Sequence, residues 1–148
     1  MGSDDDSEKV VLSRSQCLAR LASTHLGRIG ISIDALPVIL PVHFTLADES
    51  VLFRTTLGTK LDSAAAAAVI AFQVDEYDAT EGGWWSVLVQ GIASPVVDHG
   101  TRIDHDGTQT SDDWSSAGKE SRLLRVPSGT MTGRMYRGAA YRPRAVLD

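Results

Sequence analysis

Phe53-Arg54-Thr55-Thr56-Leu57-Gly58-Thr59-Lys60-Leu61 closes an apolar run that starts at Val51 and opens into an alanine-rich run over residues 62–68. Read in order, this is a strand, a tight polar turn and a helix N-terminus. Free backbone N–H groups, hydroxyls and cations gathered at such a turn make a good seat for a phosphate or another anion. Gly58 lets the backbone turn and approach a ligand closely, and Thr59 can cap the helix. Arg54 and Lys60 can neutralise charge, with arginine able to grip two oxygens at once. An ordinary strand-to-helix turn with solvated cations has the same spacing, which is far less specific than a Walker loop.

Upstream of the turn the pattern has the two-residue period of strands. Over residues 27–33, Ile29, Ile31 and Ile33 point one way while Arg28, Gly30 and Ser32 point the other. Asp34-Ala35 is short enough for a hairpin turn. Residues 36–46 read as a second strand, but Pro37 and Pro41 cannot donate to a ladder and so imply an edge, bulge or bend. Ala47-Asp48-Glu49-Ser50 is a turn, and residues 51–55 form a third strand. Before all of these, Ser13 and Gln16 have capping-box spacing, followed by Cys17, Leu18 and Leu21 on one helical face. That helix should stop near Ser23, and Cys17 reads as packing.

Downstream, residues 62–68 suit a short helix that needs the sheet for support. Residues 69–74 make a fourth strand, Gly82-Gly83 a break, and residues 84–93 a long fifth strand with Gly91 as a bulge or bend. Residues 99–119 lack periodicity and read mostly as loop. A sixth strand covers residues 123–126. The expected organisation is an acidic flexible lead (1–9), one domain (10–135) and a weakly ordered basic tail (136–148). Six short strands at hairpin spacing, without regular β-α-β alternation, predict a mainly β (α+β) fold, an antiparallel β-barrel with short flanking helices.

Composition bounds the function. The chain has 148 residues, 43% hydrophobic and 22% charged, as expected of one globular domain. Its net charge of −5 argues against nucleic acid as a partner. One cysteine excludes an internal disulfide and any multi-cysteine metal site, and suits a reducing compartment. The start Met1-Gly2-Ser3-Asp4-Asp5-Asp6 is acidic, unlike a secretory signal, and no run approaches a membrane span. These features lead us to expect a cytoplasmic protein.

Isolated polar residues carry little further. Asp98, His99, Asp104, His105 and Asp106 lie in a glycine-rich polar segment without recognisable ligand spacing, so no metal site is expected. Trp84 and Trp85 must face opposite sides of a strand, one toward the core and the other toward a ligand or partner. His43, on a strand, is either a packed or edge residue or a hydrogen-bonding partner for a ligand ring. Serine-nucleophile and dinucleotide fingerprints are absent, and no general acid or base stands out.

Several of these segments together resemble a known family: Gly27-Arg28-Ile29-Gly30, Leu36-Pro37 with Pro41-Val42-His43-Phe44, the 53–61 turn, residues 69–75, Trp85-Ser86-Val87-Leu88-Val89-Gln90-Gly91, and Thr132-Gly133-Arg134. Over residues 13–135 the chain resembles the pyridoxamine 5′-phosphate oxidase-like proteins of the FMN-binding split β-barrel fold. It looks closest to a small actinobacterial branch related to nitroimidazole-resistance reductases. The resemblance implies a six-stranded split barrel, a homodimer, and FMN in a cleft between subunits. It assigns the FMN phosphate to Arg54, Thr55, Thr56, Thr59 and Lys60. The strand Pro41, Val42, His43 and Phe44 would lie along the flavin ring and offer backbone hydrogen bonds, with Trp85, Ser86 and Arg134 at the cleft. The implied activity is that of a flavin-dependent oxidoreductase on a small molecule. The same fold also hosts deazaflavin-dependent reductases and non-catalytic flavin- or haem-binding proteins. The extra basic residues that vitamin-forming oxidases use for their substrate's phosphate are not found.

Overall fold

The structure, a computed structural model, describes residues 8–55, 68–78, 82–96, 101–103, 109–111 and 122–137. A short strand, β1 (Glu8–Val11), precedes helix α1 (Arg14–Ala22). The helix begins as its sequence dictates. The Ser13 hydroxyl accepts from the Gln16 N–H at 3.2 Å, and the Gln16 side-chain oxygen accepts from the Ser13 N–H at 2.8 Å. It ends at Ser23, whose N–H and hydroxyl both reach the Arg20 carbonyl.

Strands β2 (Leu26–Ile33), β3 (Leu36–Ala47) and β4 (Ser50–Thr55) follow as two tight hairpins. Asp34 and Ala35 have φ of 50° and 64°, and Asp48 and Glu49 have 49° and 64°. Positive φ at both central residues is the type I′ geometry that matches the twist of the flanking strands. β3 runs unbroken through Pro37 and Pro41 because its two halves have different neighbours. Residues 36–43 pair with β2, and residues 44–47 pair with β4. Among the described residues the proline-bearing half has a strand on one side only, where a missing N–H costs nothing.

The remaining strands are β5 (Val69–Asp78), β6 (Gly83–Ile92), β7 (Ser94–Pro95), β8 (Thr101–Ile103), β9 (Gln109–Ser111), β10 (Arg122–Val126) and β11 (Thr130–Arg137). Nine form one sheet in the order β1-β11-β6-β5-β2-β3-β4-β10-β7, and β8 pairs with β9. Every pairing is antiparallel. Only the fully buried Ala93 separates β6 from β7, yet β6 pairs with β11 and β5 while β7 pairs with β10. The sheet's end strand therefore continues its third strand, and the sheet curls back on itself as a split barrel. Its interior holds Ile29, Val42, Phe44, Phe53, Phe72, Val87, Val89 and Leu124, with Phe44 edge-on to Phe72 at 4.8 Å. Among the described residues no helix is long and apolar enough to cross a membrane.

The architecture matches the expected class, with more strands than six. β11, the largest addition, pairs with β6 at seven positions and buries Met135, and its last two residues, Tyr136 and Arg137, were expected in the weakly ordered tail. Glu8 and Lys9, assigned to the flexible lead, sit in β1 against Arg137 and Tyr136. The segment expected to be mostly loop contains the β8–β9 pair. The short helix expected over residues 62–68 lies outside the described residues except for Ala68, as do residues 138–148.

Helix α1 closes the barrel over β11, and close approach there depends on glycine. A Cβ at Gly133 would meet the Cys17 sulfur at 2.4 Å. Cys17 is 1% exposed, and burial pushes its thiol above its ordinary pKa against the opposing pull of Arg14, so it stays protonated and packs as a small apolar group.

A second tie fixes the start of α1. Arg14 donates to the Ser128 carbonyl at 2.7 Å and to its hydroxyl at 2.9 Å, while the Ser128 hydroxyl donates to the Glu49 carbonyl. Helix, β3–β4 turn and β10–β11 loop thus share one polar junction around a nearly buried serine. Arg14→Ala should lower stability by roughly 1–3 kcal/mol, read as a lower urea midpoint at unchanged slope. Arg14→Lys should recover little, since an ammonium lacks the planar fork.

Candidate functional site

The β3–β4 register sets Phe44 opposite Phe53. Pairing ends there, with His43 one residue beyond it on β3 and Arg54 one residue beyond it on β4. The described end of β4, at Arg54 and Thr55, therefore lies beside the strand segment 41–44. Arg54 is half-buried, next to β10 at Leu123. Thr55 is the last residue of β4, opposite Arg122. Thr56, Thr59 and Lys60 lie outside the described residues.

Along β3 the side chains alternate. Pro41 and His43 are exposed on the outer face, whereas Val42 and Phe44 are 5% and 0% exposed within the core. A ligand on this strand would meet the outward pair and the backbone, not the Val42 or Phe44 side chains. The Phe44 N–H is also committed, donating to the His25 carbonyl at 2.9 Å. It is therefore removed from the hydrogen bonds expected of this strand.

The outer face continues across the sheet as rows of opposed residues. Pro41 lies opposite Arg28, Arg28 opposite Gln73, and Gln73 opposite Leu88. In the next row Asp75 lies opposite Ser86 and Ser86 opposite Arg134. Ser86 and Arg134 are thus brought together, across the sheet from His43. Trp85 is not with them. It is 2% exposed, turned inward beneath α1, with the Arg20 guanidinium 5.5 Å from its ring centroid. The expected cleft position of Trp85 is corrected to the core, because Ser86 faces outward and the next residue along must face in. Its neighbour Trp84 stays on the outer face, stacked on Tyr136 at 4.3 Å.

Two recesses mark this face. The first is shallow and apolar: Gly30 lies between Ile39 and Ala71, and a Cβ at Gly30 would find only the Ala71 Cβ, at 3.7 Å. Exposed Ile39, Val69 and Ile92 border it, with Val69 directly opposite Ile92. A flat floor with apolar walls suits a planar ring or a second protein surface. The second is a cavity of about 410 Å³ where β2 and β5 part, with Thr24, His25, Arg28, Pro41, Asp75 and Glu76 among its lining. Arg28 and Asp75, both in its lining, form an ion pair. The sequence reading missed this cavity, since its walls come from separate segments. The candidate metal residues Asp98, His99, Asp104, His105 and Asp106 lie outside the described residues; among those described, no group of three or more potential ligands converges.

Comparison with known proteins places this geometry in a family. A profile of the pyridoxamine 5′-phosphate oxidase family matches residues 13–135. An uncharacterised protein of Mycobacterium tuberculosis is 38% identical over 96 residues, covering 62% of this chain and 63% of that protein, less than two thirds of its length. Among solved structures, the FAD binding protein of Mycobacterium smegmatis is 34% identical with a TM-score of 0.65, covering 88% of this chain and 100% of that one. A conserved protein of unknown function from Corynebacterium diphtheriae is 31% identical with a TM-score of 0.62, covering 85% and 96% respectively. The match spans most of the barrel, from the Ser13 cap to Met135 in β11, and the chain belongs to the pyridoxamine 5′-phosphate oxidase-like family.

Proposed function

We propose that the chain binds a flavin nucleotide, with FMN the expected form, between two copies of itself, and acts as a flavin-dependent oxidoreductase on a small molecule. The observation that supports this reading is the β3–β4 register, which brings Arg54 and the end of β4, where the cationic, hydroxyl-rich sequence begins, beside the outward-facing Pro41 and His43. A flavin nucleotide needs that combination: a seat for a phosphate and a strand along which a flat ring can lie. Family membership and the FAD binding relative support it. The same turn would serve FMN or the FMN half of FAD, and the mass of the released cofactor separates them. Bound there, a flavin supplies hydride or electron transfer, and the protein's part is to hold and orient it. Reduction of the bound flavin by a nicotinamide donor, followed by repeated turnover of an electron acceptor, would establish the enzyme. A flavin that is reduced once and never turns over would make the protein a carrier instead.

Dimer formation is supported by the apolar outer face. Ile39, Val69 and Ile92 are 72%, 71% and 58% exposed in the single chain, clustered around the side-chain-poor floor at Gly30 and Ala71. Clustered apolar exposure of this kind marks an interaction surface. Sedimentation should give a dimer at micromolar concentration, and Ile39→Lys with Ile92→Lys should give a folded monomer that has lost flavin affinity. A parent chain that sediments as a monomer and still binds flavin would remove the shared cleft.

A further inference from the structure

We propose that the wedge between β2 and β5 is a binding pocket for a small ligand carrying a protonated amine or amidine. The proposal stands apart from the flavin reading, although Pro41 borders both sites. β2 and β5 pair only at Arg28↔Gln73, Ile29↔Phe72 and Gly30↔Ala71, and beyond that point the two strands diverge. The gap so opened is the cavity of about 410 Å³. Gly27 is among its lining residues, and the position is closed to larger side chains on the core side, where a Cβ would meet the Phe72 ring at 2.6 Å.

Several polar groups of this cavity offer acceptors. Ser23 and Thr24, both in the lining, donate their hydroxyl hydrogens to the Arg20 and Leu21 carbonyls, so each hydroxyl has only acceptor capacity left. These residues also follow the C-terminal end of α1, where the helix dipole favours a positive charge. The Arg28 cation is matched by Asp75. The Glu76 carboxylate then remains, and among the described residues no cation pairs with it. Uncompensated negative charge, hydroxyl acceptors and a helix C-terminus together suit a cationic N–H donor. A carboxylate or phosphate would meet the unmatched Glu76 carboxylate there.

Benzamidine, benzoate and benzyl alcohol share one ring and differ in charge, so they serve as probes. Each would be titrated into isotopically labelled full-length protein while backbone amide signals are followed. Benzamidine should shift the amides of Thr24, His25, Asp75 and Glu76, and the other two should leave them in place. Glu76→Gln should weaken benzamidine binding by roughly two- to fivefold, the range for a solvent-accessible ion pair. Asp48→Asn, which removes the same charge at the β3–β4 turn, should leave binding unchanged. Benzoate shifting these amides as strongly as benzamidine would overturn the proposal in favour of an anion site at Arg28. Absence of any benzamidine shift in the pocket, or equal weakening by the two substitutions, would overturn it as well. Flavin affinity measured on the same samples reports separately on the cofactor site.

Discussion

Lys60→Ala is expected to lower FMN affinity by roughly ten- to a hundredfold while leaving riboflavin affinity unchanged. A lysine in the turn after β4 would hold the phosphate dianion through charge-assisted hydrogen bonds, each contributing roughly 1.5–3 kcal/mol. Every ~1.4 kcal/mol is a factor of ten in affinity. Riboflavin has the same ring without the phosphate, so it isolates the contribution of the turn. Arg54→Ala should weaken FMN binding to a similar degree, but Arg54 is half-buried beside β10 and also contacts the protein itself. Its loss should therefore lower stability as well, which makes lysine the cleaner probe. An ordinary structural turn predicts the reverse pattern: unchanged FMN affinity and, at most, a small change in the unfolding midpoint. Parallel titrations of apo-protein with FMN and riboflavin distinguish the two.

Trp85→Ala should cost roughly 3–5 kcal/mol of stability, the range for deleting a fully buried aromatic ring. Trp85 heads the largest fully buried side chains of the described residues, and its ring carries the Arg20 guanidinium above it. Truncation would open a cavity beneath α1 and remove the cation–π contact. Trp85→Phe should cost less and should preserve flavin affinity, because the ring faces the core and not the proposed cleft. Trp84→Ala, on the outer face, should be milder for stability, losing mainly the stack on Tyr136. Urea unfolding of the three variants gives the order. Flavin affinity lost with Trp85→Phe at unchanged stability would return Trp85 to the cleft.

These two residues show where sequence reading succeeds and where it stops. That Trp84 and Trp85 face opposite ways follows from strand geometry alone. Which of them faces in depends on the register with β5 and β11, and that is a property of the whole sheet. The Ser13 cap was legible because both of its partners lie within one turn of chain. The prolines of β3 were legible because a missing N–H restricts neighbours wherever the strand runs. β11 was not legible, because its inward positions include Met131, Gly133 and Met135, a weak apolar alternation interrupted by glycine. Gly133 is buried by the approach of Cys17 from α1, far away in sequence. The alternation of Met131 and Met135 about Gly133 was the available signal, and the glycine masked it. The site divides in the same way. Arg54 and Thr55 stand out locally, whereas the β2–β5 wedge is lined by residues such as Arg28 and Asp75, which lie 47 residues apart and meet only in the folded sheet.

The central claim, that this barrel carries a flavin nucleotide, is tested most directly by identifying what the purified protein holds. The protein should be isolated without added cofactor, its absorbance recorded, and the ligand released by denaturation and weighed by mass spectrometry. The account predicts a flavin spectrum, a released flavin that retains its 5′-phosphate, and a stoichiometry near one per chain. A Soret band, a released deazaflavin, or a colourless protein that fails to take up either FMN or FAD on titration would contradict it.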